Sequence, residues 1–328
     1  MKKKIKWGIL GTGAIAVEQL IPALVGSSYG EVYAIASRRI EKAQKTAQQF
    51  GMTTYYGAYQ ELLDDTEVEA VYIPLPNHLH VEWAIKALRA GKHVLVEKPI
   101  AMSSAQAREL VEEAEKHPQL KVMEAFMYKF HPQWIKVKEM IAQGEIGALK
   151  TIQASFSFFE DDPDSIVNKK EFGGGSLMDI GCYPISISRF LFDAEPKSVS
   201  AVIDYDPLLE VDILATGILE FDQGTTNFFS ATQMVDNQQV TLFGTWGSIA
   251  FELPFNPPID TPSKIWLTKD DKKTEVAFEI CNQYTLQVDA FSLAIIEDSE
   301  LPVNLQDAVS NMIVIEKLKE SDRLGQRV

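Results

Sequence analysis

An apolar run over residues 4–10 leads into Gly11-Thr12-Gly13-Ala14-Ile15-Ala16, and a helical pattern over 14–25 leads out of it. The first glycine of such a loop permits the sharp strand-to-helix turn. The second lets a ligand's phosphates approach the backbone. The third small residue, here Ala16, lets the helix pack closely on the strand. The first helical amides have no internal acceptor, and the helix dipole favours an anion there. The spacing predicts a dinucleotide fold in which Gly11, Thr12, Gly13, Ala14 and Ile15 cradle a pyrophosphate.

The alternation continues. Residues 32–37 read as a second strand and 40–50 as a second helix; 70–74 form an apolar strand. Asn77 is placed to cap a helix running to residue 90, with Gly91 as its terminator. Residues 93–96 form a further strand, Ser103 caps a helix to residue 116, and a strand over 120–125 closes the series. This predicts an α/β Rossmann domain over 1–122, with a doubly wound parallel sheet.

From residue 123 to 328 the pattern changes. Runs at 148–159, 217–221, 225–231, 239–243, 266–269 and 275–278 read as strands in succession, with Asp222-Gln223-Gly224 as a hairpin turn. Helices near 286–297 and 305–321 follow. The expectation is an α+β domain with a large, mostly antiparallel sheet covered by helices on one face. Its other face would expose apolar side chains unless paired, so a homo-oligomer, most simply a homodimer, is expected through that sheet.

The end of the second strand separates two cofactors. NAD sites place an acid about 20 residues past the glycines to bind ribose hydroxyls. Residues 32–40 contain no acid, and Ser37-Arg38-Arg39 stands in that place. A guanidinium can pair with a 2′-phosphate through two bonds. Ser37, Arg38 and Arg39 therefore point to NADP over NAD; the plainer reading is two arginines opening a surface helix. Pro74, Leu75 and Asn77 sit on a strand-end loop, where an open α/β sheet meets its ligand.

Two further stretches carry chemistry. Glu97-Lys98-Pro99 follows a strand, which projects Lys98 from a strand end; an ordinary surface lysine is the alternative. Phe172-Gly173-Gly174-Gly175 precedes Ser176-Leu177-Met178-Asp179-Ile180-Gly181-Cys182-Tyr183. The glycines allow close backbone approach or a mobile loop. Asp179 and Tyr183 are four apart, on one face if helical. A carboxylate and a phenol near a lysine can organise proton transfer from an alcohol. A glycine-rich turn with a capping aspartate fits these residues equally well.

Composition sets outer bounds. The net charge of −15 argues against nucleic acid and anionic membranes. No apolar run is long enough to span a bilayer, and the basic start Met1-Lys2-Lys3-Lys4 lacks a signal peptide's apolar core, so a cytoplasmic protein is expected. Two distant cysteines suggest neither a disulfide framework nor a zinc site, and His78 and His80 have no third ligand beside them; no metal is expected.

The ordered set Gly-x-Gly-x-x-Ala, Glu97-Lys98-Pro99 and Gly174-Gly175-Ser176-Leu177-Met178-Asp179-Ile180-Gly181, followed by Tyr183, resembles the Gfo/Idh/MocA oxidoreductases over essentially the whole chain. Tyr183 and Ser37-Arg38 resemble the branch of glucose–fructose oxidoreductase, dimeric dihydrodiol dehydrogenase and NADP-dependent xylose dehydrogenase. The resemblance implies Lys98, Asp179 and Tyr183 as catalytic residues, Glu97, Lys98 and His80 near the nicotinamide, and Phe126, Tyr128 and Phe158 lining the substrate. It implies hydride transfer between NADP and a cyclic aldose or a trans-dihydrodiol. Two alternatives stand beside it: a non-catalytic, dinucleotide-responsive regulator, and a sugar oxidoreductase that recycles tightly held NADP.

Overall fold

The computed structural model describes residues 3–328; Met1 and Lys2 of the basic lead-in lie outside the described residues. The chain forms two compact units, each assembled from two segments. One holds residues up to Met127 with Asn282–Val309, and the other holds Tyr128–Cys281 with Ser310–Val328.

In the first unit the strands are β1 Ile5–Leu10, β2 Gly30–Ala36, β3 Thr54–Tyr56, β4 Ala70–Ile73, β5 His93–Val96 and β6 Val122–Glu124. Their order is β3-β2-β1-β4-β5-β6, with parallel pairing throughout. This is the doubly wound order, whose direction reverses beside β1, so the ligand crevice belongs at the end of β1. The apolar runs of β1, β4 and β5 are almost wholly buried because helices cover both faces of such a sheet.

The helices are α1 Ile21–Val25, α2 Ile40–Phe50, α3 Tyr59–Asp64, α4 His80–Arg89 and α5 Ser104–Glu115. A π-helical turn, Ile15–Leu20, precedes α1, so the expected single helix over 14–25 has two registers. Ser103 caps α5, its side chain accepting from the Gln106 amide at 3.2 Å. Gly91 takes the left-handed conformation, φ +76°, just past α4. Asn77 is not the cap of α4. It opens a 3₁₀ turn, Asn77–Leu79, and α4 starts three residues later from Leu79 without a side-chain cap.

The second unit carries α6 Pro132–Ala142, α7 Cys182–Phe192 and an eight-stranded sheet. Its strands are β7 Leu149–Phe159, β8 Ser198–Tyr205, β9 Asp212–Glu220, β10 Thr225–Ala231, β11 Gln233–Gly244, β12 Gly247–Phe251, β13 Ser263–Lys269 and β14 Lys272–Phe278. The order is β14-β13-β12-β11-β7-β10-β9-β8, antiparallel except for β7 with β10. The β9–β10 hairpin closes as expected, Phe221 N donating to Gly224 O at 2.8 Å.

Two helices end the chain, α8 Gln283–Glu297 and α9 Leu305–Leu324. A division after residue 122 leaves α8 with the second half. In space it packs on the first unit, where Phe291 meets Trp7 at 5.4 Å between ring centroids and Ser292 Oγ accepts from Trp7 Nε1 at 3.1 Å. From Ser310 on, α9 packs on the second sheet; Ser321 Oγ accepts from Ala201 N, and Asp322 accepts from Ile203 N at 2.8 Å. No helix of the described residues is long and apolar enough to cross a membrane.

Candidate active site

The chain leaves β1 through Gly11, held at φ +127°, where a Cβ would press on Leu75 Cδ2 at 3.3 Å. Gly11 N donates to Ala36 O at 2.9 Å, tying the loop to the end of β2. The Gly13 carbonyl accepts from both Ala16 and Val17 at 3.1 Å, so the helical register starts there. Gly13 and Ala14 are exposed, and Thr12 and Ile15 are half-buried. The result is bare backbone at a helix start, walled by Pro74 and Leu75, which fits a pyrophosphate.

At the end of β2, Ser37 Oγ accepts from Arg39 N at 3.3 Å and pins the turn, while both arginines reach solvent. The Tyr59 hydroxyl faces the Arg38 guanidinium; burial pushes that phenol up and Arg38 opposes it. The Tyr59 ring stands edge-on to Trp83 at 5.0 Å, with its hydroxyl 3.9 Å from the Cβ position at Gly11. Tyr59 thus links Arg38 to the glycine loop. It carries no motif, and only its place beside Gly11 gives it away. A hydroxyl and two guanidiniums, with no carboxylate on this strand end, suit a 2′-phosphate better than bare ribose hydroxyls.

The next strand ends present Glu97 and Lys98. Glu97 is buried; its carboxylate accepts from Tyr72 OH at 2.5 Å and from Lys98 N at 3.2 Å. The Lys98–Pro99 peptide is cis, and Lys98 is half-buried. Tyr284 on α8 lies close by: burial and then Glu97 hold its phenol neutral, with Lys98 opposing. Asn77 is half-buried on the neighbouring strand-end loop.

His80, expected near the nicotinamide, sits between residue 75 and the Lys98–Pro99 corner. Its ring is fully buried, with Nδ1 2.8 Å from Pro99 O and Nε2 2.6 Å from Leu75 O. Burial lowers its pKa to about 4 against the pull of those carbonyls, with Lys98 and His78 adding to the fall. A neutral imidazole has one N–H, so the ring donates to one of these carbonyls and packs the loop at residue 75 against the Lys98–Pro99 corner.

In the second unit the glycines serve close approach. A Cβ on Gly174 would collide with Val167 O, and one on Gly175, at φ +105°, with the Asp212 carboxylate. Asp212, at the start of β9, is 2% exposed. Its Oδ2 accepts from Ser176 Oγ at 3.0 Å and from Leu177 N at 2.6 Å; Lys319 Nζ lies 4.0 Å from its Oδ1. Burial raises the Asp212 pKa, and Lys319 opposes that rise.

This buried carboxylate anchors the first amide of a π-helical turn, Leu177–Gly181, which carries Asp179 and runs into α7, where Tyr183 sits. Such turns recur at functional sites. Asp212 escapes a reading of the sequence because its partners lie 35 and 36 residues away.

Tyr183 is packed in aromatics: Phe255 at 5.1 Å, Phe156 at 5.5 Å and Tyr128 at 6.0 Å between centroids. Tyr128 is fully buried, with its hydroxyl 2.7 Å from Ser186 Oγ and its ring beside Tyr183, and Phe126 is 1% exposed. Phe158, expected to line the substrate, faces a pocket of about 460 Å³. Trp246 is 70% exposed, with its ring close to Gly147.

Residues 5–126 match the oxidoreductase family with an NAD-binding Rossmann fold, and residues 134–250 match the Gfo/Idh/MocA C-terminal domain. The chain belongs to the Gfo/Idh/MocA family of NAD(P)-dependent oxidoreductases, which act on CH–OH or keto groups. It is 42% identical over 327 residues to an uncharacterized oxidoreductase of Rhizobium meliloti, covering 98% of each chain. It is 36% identical over 325 residues, again 98% of each chain, to a D-xylose 1-dehydrogenase (NADP(+)) of Haloferax volcanii. A 3-ketoreductase from Actinomadura kijaniata, solved with NADP and TDP-benzene, superposes with TM-score 0.92 at 29% identity, covering 97% of this chain and 98% of that one.

Proposed function

We propose that the chain is an NADP-dependent dehydrogenase of a polyhydroxylated ring, either a cyclic aldose such as xylose or glucose or a trans-dihydrodiol. The observation that carries this reading is the anchored turn at 177–183, with a carboxylate and a phenol four residues apart and the phenol set in an aromatic socket. The acid-free, arginine-bearing end of β2 supports NADP over NAD, as do the NADP named for the xylose dehydrogenase and bound to the ketoreductase.

Gly11 to Ile15 hold the pyrophosphate, Ser37, Arg38 and Arg39 the 2′-phosphate, and the 74–77 loop with Glu97 the nicotinamide end. Bound NADP supplies the hydride acceptor. Tyr183 takes the hydroxyl proton in oxidation and returns it in reduction. Lys98 polarises the reacting oxygen, and Asp179 orients the substrate or Lys98. Glu97, gripped by Tyr72, accepts from Lys98 N and so fixes the backbone of the strand end from which Lys98 projects.

The uncovered face of the second sheet is proposed to pair with a second copy of the chain. The strand register puts Val202, Ile218 and Phe243 on that one face, and they are 75%, 50% and 37% exposed.

The test of the reading is a panel of aldoses, inositols and dihydrodiols offered with NADP and with NAD, read at the absorbance of reduced nicotinamide. Turnover of at least one ring substrate, with NADP preferred, is expected. No turnover across the panel despite tight NADP binding would favour a regulator instead.

A further inference from the structure

The pocket of about 460 Å³ in the second unit lies one aromatic ring away from Tyr183. Phe156 forms part of its wall and packs on the Tyr183 ring at 5.5 Å between centroids. Ile180, from the turn that carries Asp179, is a second shared element. The volume falls within the range of small-molecule sites.

The pocket lining combines apolar and polar residues. Phe156, Phe158, Ile180 and Leu253 make an apolar wall, and Asp236, Asn237, Gln238 and Asn256 line it with polar groups. The hydrogen bonds set the polarity of that lining. Gln238 Oε1 accepts from Asn256 N at 3.1 Å, which leaves the Gln238 amide hydrogens as donors. Asn237 Nδ2 donates to Ser155 Oγ at 2.5 Å, which leaves Asn237 Oδ1 as an acceptor. Asp236 adds an exposed carboxylate, which only accepts. None of the lining residues is a lysine or an arginine.

Interleaved donors and acceptors match hydroxyl groups, each of which donates and accepts. The apolar wall matches the C–H face of a saturated ring. A phosphate calls for cations or convergent amide donors, and here it would meet a carboxylate instead. Resting on the reading of Tyr183 given above, we infer that this pocket selects an uncharged, hydroxyl-rich ring and rejects sugar phosphates and nucleoside-diphosphate sugars. That sets the chain's substrate apart from a ligand carrying a nucleoside diphosphate, the kind its ketoreductase relative was solved with. Gln238 and Asp236 are then specificity-determining residues.

The experiment compares D-xylose and D-glucose with D-glucose 6-phosphate as substrates at saturating NADP, and measures binding of the same sugars by calorimetry in the presence of NADP. The variants are Gln238→Ala and Asp236→Lys. Wild type is expected to favour the neutral sugars by at least about 100-fold in kcat/KM. Gln238→Ala should raise KM for them about 10-fold with NADP affinity unchanged, and Asp236→Lys should narrow the gap to the phosphate ester about 10-fold. Equal or better use of the phosphate ester by wild type, or no change in either variant, overturns the inference. If neutral sugars bind wild type and not Gln238→Ala, yet none is turned over, the pocket assignment holds and the catalytic reading falls.

Discussion

Asp212 offers the sharpest test of how the proton-transfer segment is held. Asp212→Ala removes the acceptor for Leu177 N and Ser176 Oγ, at 2.6 and 3.0 Å, in a place closed to water. A hydrogen bond to a buried charged group contributes about 1.5–3 kcal/mol, and each donor left buried without a partner costs about 1–3 kcal/mol. Release of the buried charge offsets part of this. A net loss of about 3 kcal/mol follows, or roughly 6–12 °C in Tm for a unit of this size.

The chemistry should suffer as well, because Leu177 opens the turn that bears Asp179 and leads to Tyr183. A shift of about 1 Å in a reacting group can cost about 100-fold. Asp212→Asn is the control. Both hydrogen bonds end on one carboxylate oxygen, so an amide oxygen can replace it, and the variant should keep most of the Tm and of kcat. The assays are thermal unfolding, NADP binding and kcat. NADP affinity should survive in both variants, since its proposed contacts lie in the first unit. Wild-type kcat and Tm in Asp212→Ala would refute the reasoning.

Three other outcomes are expected. Arg38→Ala should weaken NADP by about 10- to 100-fold, the equivalent of one charge-assisted contact, and leave NAD nearly unchanged in a fluorescence titration. Burial holds His80, His93 and His131 near pKa 4, below the ordinary value of about 6.5, so the unfolded chain takes up these protons first. Their contribution to stability is intact above about pH 6.5 and is lost as pH falls toward 4, at about 1.4 kcal/mol per pH unit for each histidine. Urea midpoints measured from pH 7.5 to 5 should fall accordingly, and a flat profile would contradict it. Val202→Asp with Ile218→Asp should give a monomer by light scattering where wild type is a dimer; a wild type that is already monomeric at micromolar concentration rules out that interface.

How much of this is legible in the sequence depends on the distance over which a signal acts. The turn at Gly11, the cap at Ser103 and the hairpin at Asp222-Gln223-Gly224 are written within a few residues, and each is where the pattern puts it. The strand β3 and helix α3 leave no trace because three residues, none of them buried, and one short helix make no periodicity. The capping role expected of Asn77 fails because the chain spends one 3₁₀ turn before α4.

The site divides in the same way. Lys98, Asp179 and Tyr183 stand in local motifs. Tyr59, Asp212 and the carboxamides of the pocket act across tens of residues, through a strand end, a strand start and a bulged strand pairing. Spacing along the chain also hides that the Tyr128 hydroxyl meets Ser186 and that the His80 ring lies between two backbone carbonyls, since burial and partner choice are set by packing.

The central claim is that Tyr183 and Lys98 carry out proton transfer coupled to NADP reduction. The direct measurement is turnover of a neutral ring substrate by wild type, Tyr183→Phe and Lys98→Ala, with NADP affinity measured on the same samples. The account predicts a loss of at least about 100-fold in kcat for each variant, the range for removal of a general acid–base group, with Tyr183→Phe binding NADP as wild type does. Near-normal turnover in both variants with NADP bound would contradict it.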